Sequence, residues 1–127
     1  AFSVDEKLLY VAESGSSHDD DVPAVIRVYD VNGDNTLQNG RDFAILDNGL
    51  PDGFRVDCHG NVWTSAADGV HCFDPQGVLL GKILVPETVS NVTFGGARGN
   101  ELLITATTSV YAIHVNTASA TAPRAAL

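Results

Sequence analysis

Short runs rich in apolar residues recur along this chain, separated by clusters of Gly, Asp, Asn and Pro, and the third run of each repeat mixes apolar with polar positions. Runs of that length bounded by turn-formers suit β-strands, and no segment sustains the 3.6-residue period of a helix. The runs recur in a fixed order. A short strand carrying a Phe comes first, at Ala1-Phe2-Ser3, Gly53-Phe54-Arg55-Val56 and Val92-Thr93-Phe94. A turn follows at Val4–Lys7, Asp57–Gly60 and Gly95–Asn100, then a second strand at Leu8–Ala12, Asn61–Ser65 and Leu102–Ala106. A third strand lies at Val25–Tyr29, Gly69–Phe73 and Val110–His114. Leu79–Val85 adds a fourth to the middle repeat, and Asp42–Leu46 takes that place in the first.

Phe2, Phe54 and Phe94 are 52 and 40 residues apart, which brackets the period of about 40 to 50 expected of four-stranded propeller blades. The pattern predicts an all-β chain, a β-propeller of about three blade-like units over residues 1–48, 49–88 and 89–117. The Ala- and Thr-rich tail, 118–127, is expected to fray. Glu13–Ala24, with its acidic run Asp19-Asp20-Asp21, is a polar insert expected on a rim loop. A closed propeller needs about four to eight blades, because each blade covers its faces only between two neighbours. Three blades therefore imply either a longer polypeptide or a six-bladed ring completed by a second copy, and the strand already under way at residue 1 favours the former.

Composition narrows the partners. A hydrophobic content of 44% suits one globular domain, and a formal charge of −9 disfavours nucleic acid and anionic membranes, whose phosphates need Lys and Arg. No apolar run nears the roughly 20 residues of a membrane span, and Ala1–Lys7 has no signal-peptide character, so a soluble protein is expected, cytoplasmic or periplasmic. Cys58 and Cys72 are too few for a disulfide framework; two separate buried thiols are expected, with pairing open if their strands are adjacent.

Pro51-Asp52-Gly53 stands immediately before a Phe-bearing strand. Pro fixes its own φ and Gly tolerates unusual angles, so the flanks can hold the Asp52 carboxylate in one pose; the same tripeptide also makes an ordinary β-turn. Glu13 and His18 are candidates for a loop touching a small-molecule substrate, and Asn91 for the same cavity or for a turn cap. His59, His71 and His114 fall in a turn or on strands and are read as structural or surface residues. Asp30-Val31-Asn32-Gly33-Asp34 imitates the start of a calcium loop, but Asn35 and Arg41 replace the Gly and Glu that an EF-hand needs, so a turn is expected. Ser16, Ser17 and Ser109 lie in no G-x-S-x-G setting, which argues against a serine hydrolase.

Four ordered segments together resemble one family. They are Ala1-Phe2-Ser3 through Glu13-Ser14; Pro51–Asp57 with Gly60–Ser65 and Asp68–His71; Asn91–Gly96; and Ile104–Tyr111. The resemblance is to the senescence-marker-protein, gluconolactonase and luciferin-regenerating-enzyme family of six-bladed propellers, and to its bacterial gluconolactonases in particular. It implies hydrolysis of a sugar lactone with one divalent cation, commonly calcium, held by a Glu, an Asn and an Asp from different blades. The Asp corresponds to Asp52, as metal ligand and catalytic residue; the Asn precedes the Ala-Phe-Ser segment and the Glu lies far upstream, so this chain carries neither. A lone carboxylate is a poor site for a cation wanting six or more oxygens. A non-catalytic propeller module that binds a ligand or another chain is the alternative.

Overall fold

The computed structural model describes residues 1–19 and 21–121, in which every regular element but one three-residue 3-10 turn is a β-strand. Strands β1 (Leu8–Glu13), β2 (Val25–Val31) and β3 (Leu37–Ile45) form one antiparallel sheet in that order. Next comes a four-stranded sheet of β4 (Phe54–Val56), β5 (Val62–Ala66), β6 (Gly69–Phe73) and β7 (Leu79–Leu84). The third sheet holds β8 (Val89–Gly95), β9 (Glu101–Ala106) and β10 (Val110–His114). Each strand pairs with its neighbour in sequence, so every sheet is an antiparallel meander. Meanders stacked face to face are blades of a β-propeller, and this chain supplies about three.

Two apolar layers hold the sheets together. Tyr10, Ile26, Val28, Ala44 and Leu46 of the first sheet region meet Phe54, Val56, Val62, Ala66 and Phe73 of the second. On the other side Val70 and Val85 meet Val89, Val92, Leu102 and Ile104. Each fully buried aliphatic side chain in these layers stabilises the fold by about 1.5–3 kcal/mol. The middle sheet is thus covered on both faces, and β6 is buried at all five positions. A strand packed on both faces has no wet side to alternate with, so a polar residue in it must find a partner inside the protein. His71 is that residue.

Local departures from the expected pattern have simple causes. The strand expected at Ala1-Phe2-Ser3 is a single bridge, Phe2 to Leu9, because β1 runs on past it. Tyr10 N donates to Ala1 O at 2.8 Å and Ser3 N to Leu8 O at 2.9 Å, so the segment still lies along β1. The Asp30–Asp34 run is the entry to the β2–β3 turn: Asp34 accepts from Thr36 N at 3.1 Å and Thr36 Oγ1 at 2.6 Å, and Asn35 adopts φ 64°. Asp30 accepts from Arg41 and Asn39 at 2.9 and 2.8 Å.

Part of the tail expected to fray is bonded back onto the middle sheet. Cys58 N donates to Ala118 O at 2.9 Å, Ala120 N to Val56 O at 3.2 Å, and Ser119 N to Gly99 O at 3.1 Å. As the end strand of its sheet, β4 has free backbone groups on one side, and an Ala- and Thr-rich segment can take them without burying large side chains. Residues 122–127 of the expected tail lie outside the described residues.

Both thiols are free, and only one of them is buried as expected. Cys58 is exposed in the β4–β5 turn, whereas Cys72 is buried in β6 opposite Trp63. Burial pushes the Cys72 thiol up to about 12, aided by the charges of Asp57 and Asp74. No helix among the described residues is long and apolar enough to cross a membrane.

Candidate active site

The short strand β4 carries an Asp just beyond each end, and the two are held differently. Asp57, after the strand, is fully buried. Its carboxylate accepts from His59 N and Asn61 N at 2.9 Å, Asn61 Nδ2 at 2.9 Å and Trp63 Nε1 at 3.0 Å. Burial pushes this carboxyl up, but the bonds from Trp63, Asn61 and His59 outweigh it and hold the group below the usual carboxylate range. Asp57-x-x-Gly60-Asn61-x-Trp63 is therefore a stapled turn that fixes the start of β5.

Asp52, before the strand, is exposed, and no hydrogen bond or ion pair among the described residues engages its carboxylate. Its backbone, in contrast, is fixed. Pro51 is fully buried, and Asp52 N donates to the buried Ser65 Oγ at 3.0 Å. Gly53 N donates to Ser90 O at 2.9 Å, and Ser65 N donates to Gly53 O at 3.1 Å. A Cβ at position 53 would overlap the Asn91 carboxamide, so only Gly lets β8 come this close. Upstream, Gly49 at φ 80° packs on Ala67, where a Cβ would stand 2.5 Å from the Ala67 nitrogen. The outcome is a free carboxylate on a backbone tied to both β5 and β8.

Asp52 borders a hollow of about 410 Å³ whose wall also includes Ser14, Ser17, Leu50, Thr88 and Ser90. Four hydroxyls and one available carboxylate suit a polyhydroxylated ligand and can accept a cation or a proton. A second hollow of about 420 Å³ lies between the middle sheet and Asn116-Thr117, over Trp63, Leu80 and Ile83. Its one carboxylate is Asp57, already saturated with donors, so it offers no free carboxylate as acid, base or ligand.

The other sequence candidates are not gathered at Asp52. Glu13 turns back to accept from Gly15 N at 2.8 Å and so staples its own loop. His18 is exposed at the end of the 3-10 turn Gly15–Ser17 and is not on the wall of the hollow, although Ser14 and Ser17 are. Asn91 touches Gly53, but its Oδ1 accepts from Val92 N at 2.8 Å and its exposed side lines a separate depression with Arg55, Thr93, Leu103 and Thr105. His59 and His114 are exposed, while His71 is fully buried with Nε2 2.6 Å from Asp68 Oδ1. Sequence reasoning missed Ser65 and the hydroxyls of Thr88 and Ser90. For Ser65 one signal was available, a small polar residue at the inner end of a strand directly downstream of Pro-Asp-Gly.

Fold and site together define a class: a β-propeller domain presenting one unpaired carboxylate, on a rigid backbone, to a hydroxyl-lined hollow. The chain belongs to the SMP-30/Gluconolactonase/LRE-like region family, whose model matches residues 1–108. Among curated proteins it is 38% identical over 71 residues to the gluconolactonase of Zymomonas mobilis, covering 54% of this chain and 20% of that protein. It is 42% identical over 60 residues to the pentonolactonase XacC of Haloferax volcanii, covering 45% and 21% respectively. Among solved structures, a gluconolactonase from Xanthomonas campestris superposes with a TM-score of 0.77 at 39% identity, over 89% of this chain and 35% of that one. The chain thus spans about a fifth of the length of these curated relatives and about a third of the solved one.

Proposed function

We propose that this chain supplies the Asp52-bearing part of a sugar-lactone hydrolase that works with one divalent cation, calcium by preference. In this reading residues 1–48, 49–88 and 89–117 are three blades, and the rest of the ring comes from further polypeptide or from a second copy. The observation that carries it is the contrast at β4: in a lactonase-family segment, Asp52 keeps its carboxylate free while its backbone is fixed by Ser65 and Ser90.

The residues present fit one ligand position. Asp52 is an exposed hard oxygen donor, as calcium requires, and in this reading the partner Glu and Asn come from outside this chain. A cation bound there supplies Lewis acidity toward the lactone carbonyl and acidifies a water. What this chain does is hold the Asp52 carboxylate still, so that it can bind the cation or take a proton from the attacking water. The Ser14, Ser17, Thr88 and Ser90 hydroxyls orient the sugar hydroxyls, with Glu13 and His18 reserved for the adjoining loop and Asn91 for packing under Gly53.

The test is hydrolysis of gluconolactone and pentonolactones by the complete polypeptide. Asp52→Asn is expected to lower kcat/KM by at least about a hundredfold, and chelation to abolish the activity, restored by calcium. Hydrolysis that survives both EDTA and Asp52→Asn overturns the proposal and leaves a non-catalytic binding module as the better reading.

A further inference from the structure

Outside the hollow, four charged or titratable side chains converge from four places in the sequence. Asp47 follows β3, Asp68 lies in the β5–β6 turn, His71 is central in β6, and Lys82 sits opposite it in β7. The His71 side chain is 1% exposed. Burial pushes Asp68 up, but hydrogen bonds from His71 and Lys82 bring it below the usual carboxylate range, so it accepts from His71. His71 Nε2 therefore carries the proton in the 2.6 Å contact with Asp68 Oδ1. Nδ1 is buried with no hydrogen-bond partner. A buried polar atom left without a partner is destabilising, so its retention calls for a physical reason.

The nearest charged oxygen makes this sharper. Nδ1 faces Asp47 Oδ1 at 3.8 Å, too far for a hydrogen bond. An ion about 2.1 Å from each would span that 3.8 Å gap at an angle of about 130°. Asp47, Asp68 and His71 offer ligand atoms that all lie within 4.8 Å of one another. A carboxylate on the far ring nitrogen is the usual support of a metal-binding imidazole, because it fixes the tautomer and ring orientation. A positive charge is already there: Lys82 Nζ lies 2.7 Å from Asp47 Oδ1 and 3.2 Å from Asp68 Oδ2. Its side chain is 23% exposed and can swing outward.

We propose that His71 Nδ1 and Asp47 form a second cation site, for a zinc-class transition-metal dication, with Asp68 holding the imidazole from its other nitrogen and Lys82 as the displaceable charge that holds the site when no metal is bound. One imidazole nitrogen among carboxylates selects borderline metals over calcium, which takes oxygen ligands. The ligands are separate from Asp52, and the proposal does not rest on lactone hydrolysis. Because metal and ammonium compete for the Asp47 carboxylate, binding is weak until Lys82 is removed.

Isothermal titration of zinc chloride into the protein, with cobalt(II) absorption as a second readout, tests this. All variants carry Cys58→Ser, because Cys58 Sγ lies 3.6 Å from His59 Nδ1 and that pair would bind zinc adventitiously. Lys82→Met is expected to bind one zinc at least about tenfold more tightly than the parent, through loss of the competing charge. Adding Asp47→Asn, Asp68→Asn or His71→Gln should weaken that binding by about 10–100-fold. Asp47 is at the surface, so its variant keeps the test valid if the His71 variant fails to fold. Zinc affinity that ignores Lys82→Met, or that Asp47→Asn leaves intact, overturns the proposal.

Discussion

Asp57 and Asp52 stand at opposite ends of a three-residue strand and show two uses of one functional group. Asp57 gives its oxygens to four donors inside the protein, and its turn is a stapled unit. Asp52 gives its oxygens to none of the described residues, and the protein holds it through its amide and its neighbours instead. A carboxylate saturated by internal donors has nothing left for a ligand. One that is free but rigidly mounted is suited to act on something from outside.

This contrast can be broken in graded steps. Asp57→Ala should have the largest effect on stability, about 3 kcal/mol or more in a denaturant melt, because it strands buried donors on Asn61 and Trp63. Ser65→Ala should cost about 1 kcal/mol, and should lower cation affinity at Asp52 in proportion as the backbone there loosens. Acid sensitivity follows from Asp57. Its pKa is lower folded than unfolded, so its stabilisation is complete above the unfolded value near 4 and is lost as pH falls through the folded one. The slope of stability below about pH 4 should accordingly be shallower in Asp57→Asn than in the parent. Asp52→Asn should be nearly silent, within about 0.5 kcal/mol, since its carboxylate supports no described contact. If Asp52→Asn costs as much as Asp57→Ala, the two carboxylates are not different in kind.

Much of the fold was legible because it is written locally. The apolar runs at Leu8–Ala12, Val25–Tyr29 and Leu102–Ala106 need only their own residues to declare themselves, and turn-formers mark their ends. The fixed backbone at Asp52 was legible for a similar reason: its Pro and Gly flanks are adjacent in sequence. What escaped depends on pairings across the sheets. Nothing in β6 taken alone says that His71 is buried between Asp68 and Asp47, the latter 24 residues upstream and in another blade-like unit. The return of Ala118–Ala120 to β4 is a backbone event, and it leaves no trace in side-chain composition. Glu13 looked free for substrate because a carboxylate that caps its own loop has the same sequence as one that does not.

The two thiols make this molecule its own clock. Cys58 is open to reagent in the native state, whereas Cys72 lies sealed in β6 with its thiol pushed up to about 12. A soft electrophile should therefore tag the first at once and reach the second only when the middle blade comes apart. The lag between the two labels, followed by intact mass, would report how often the centre of this domain opens, with both reporters native to the chain.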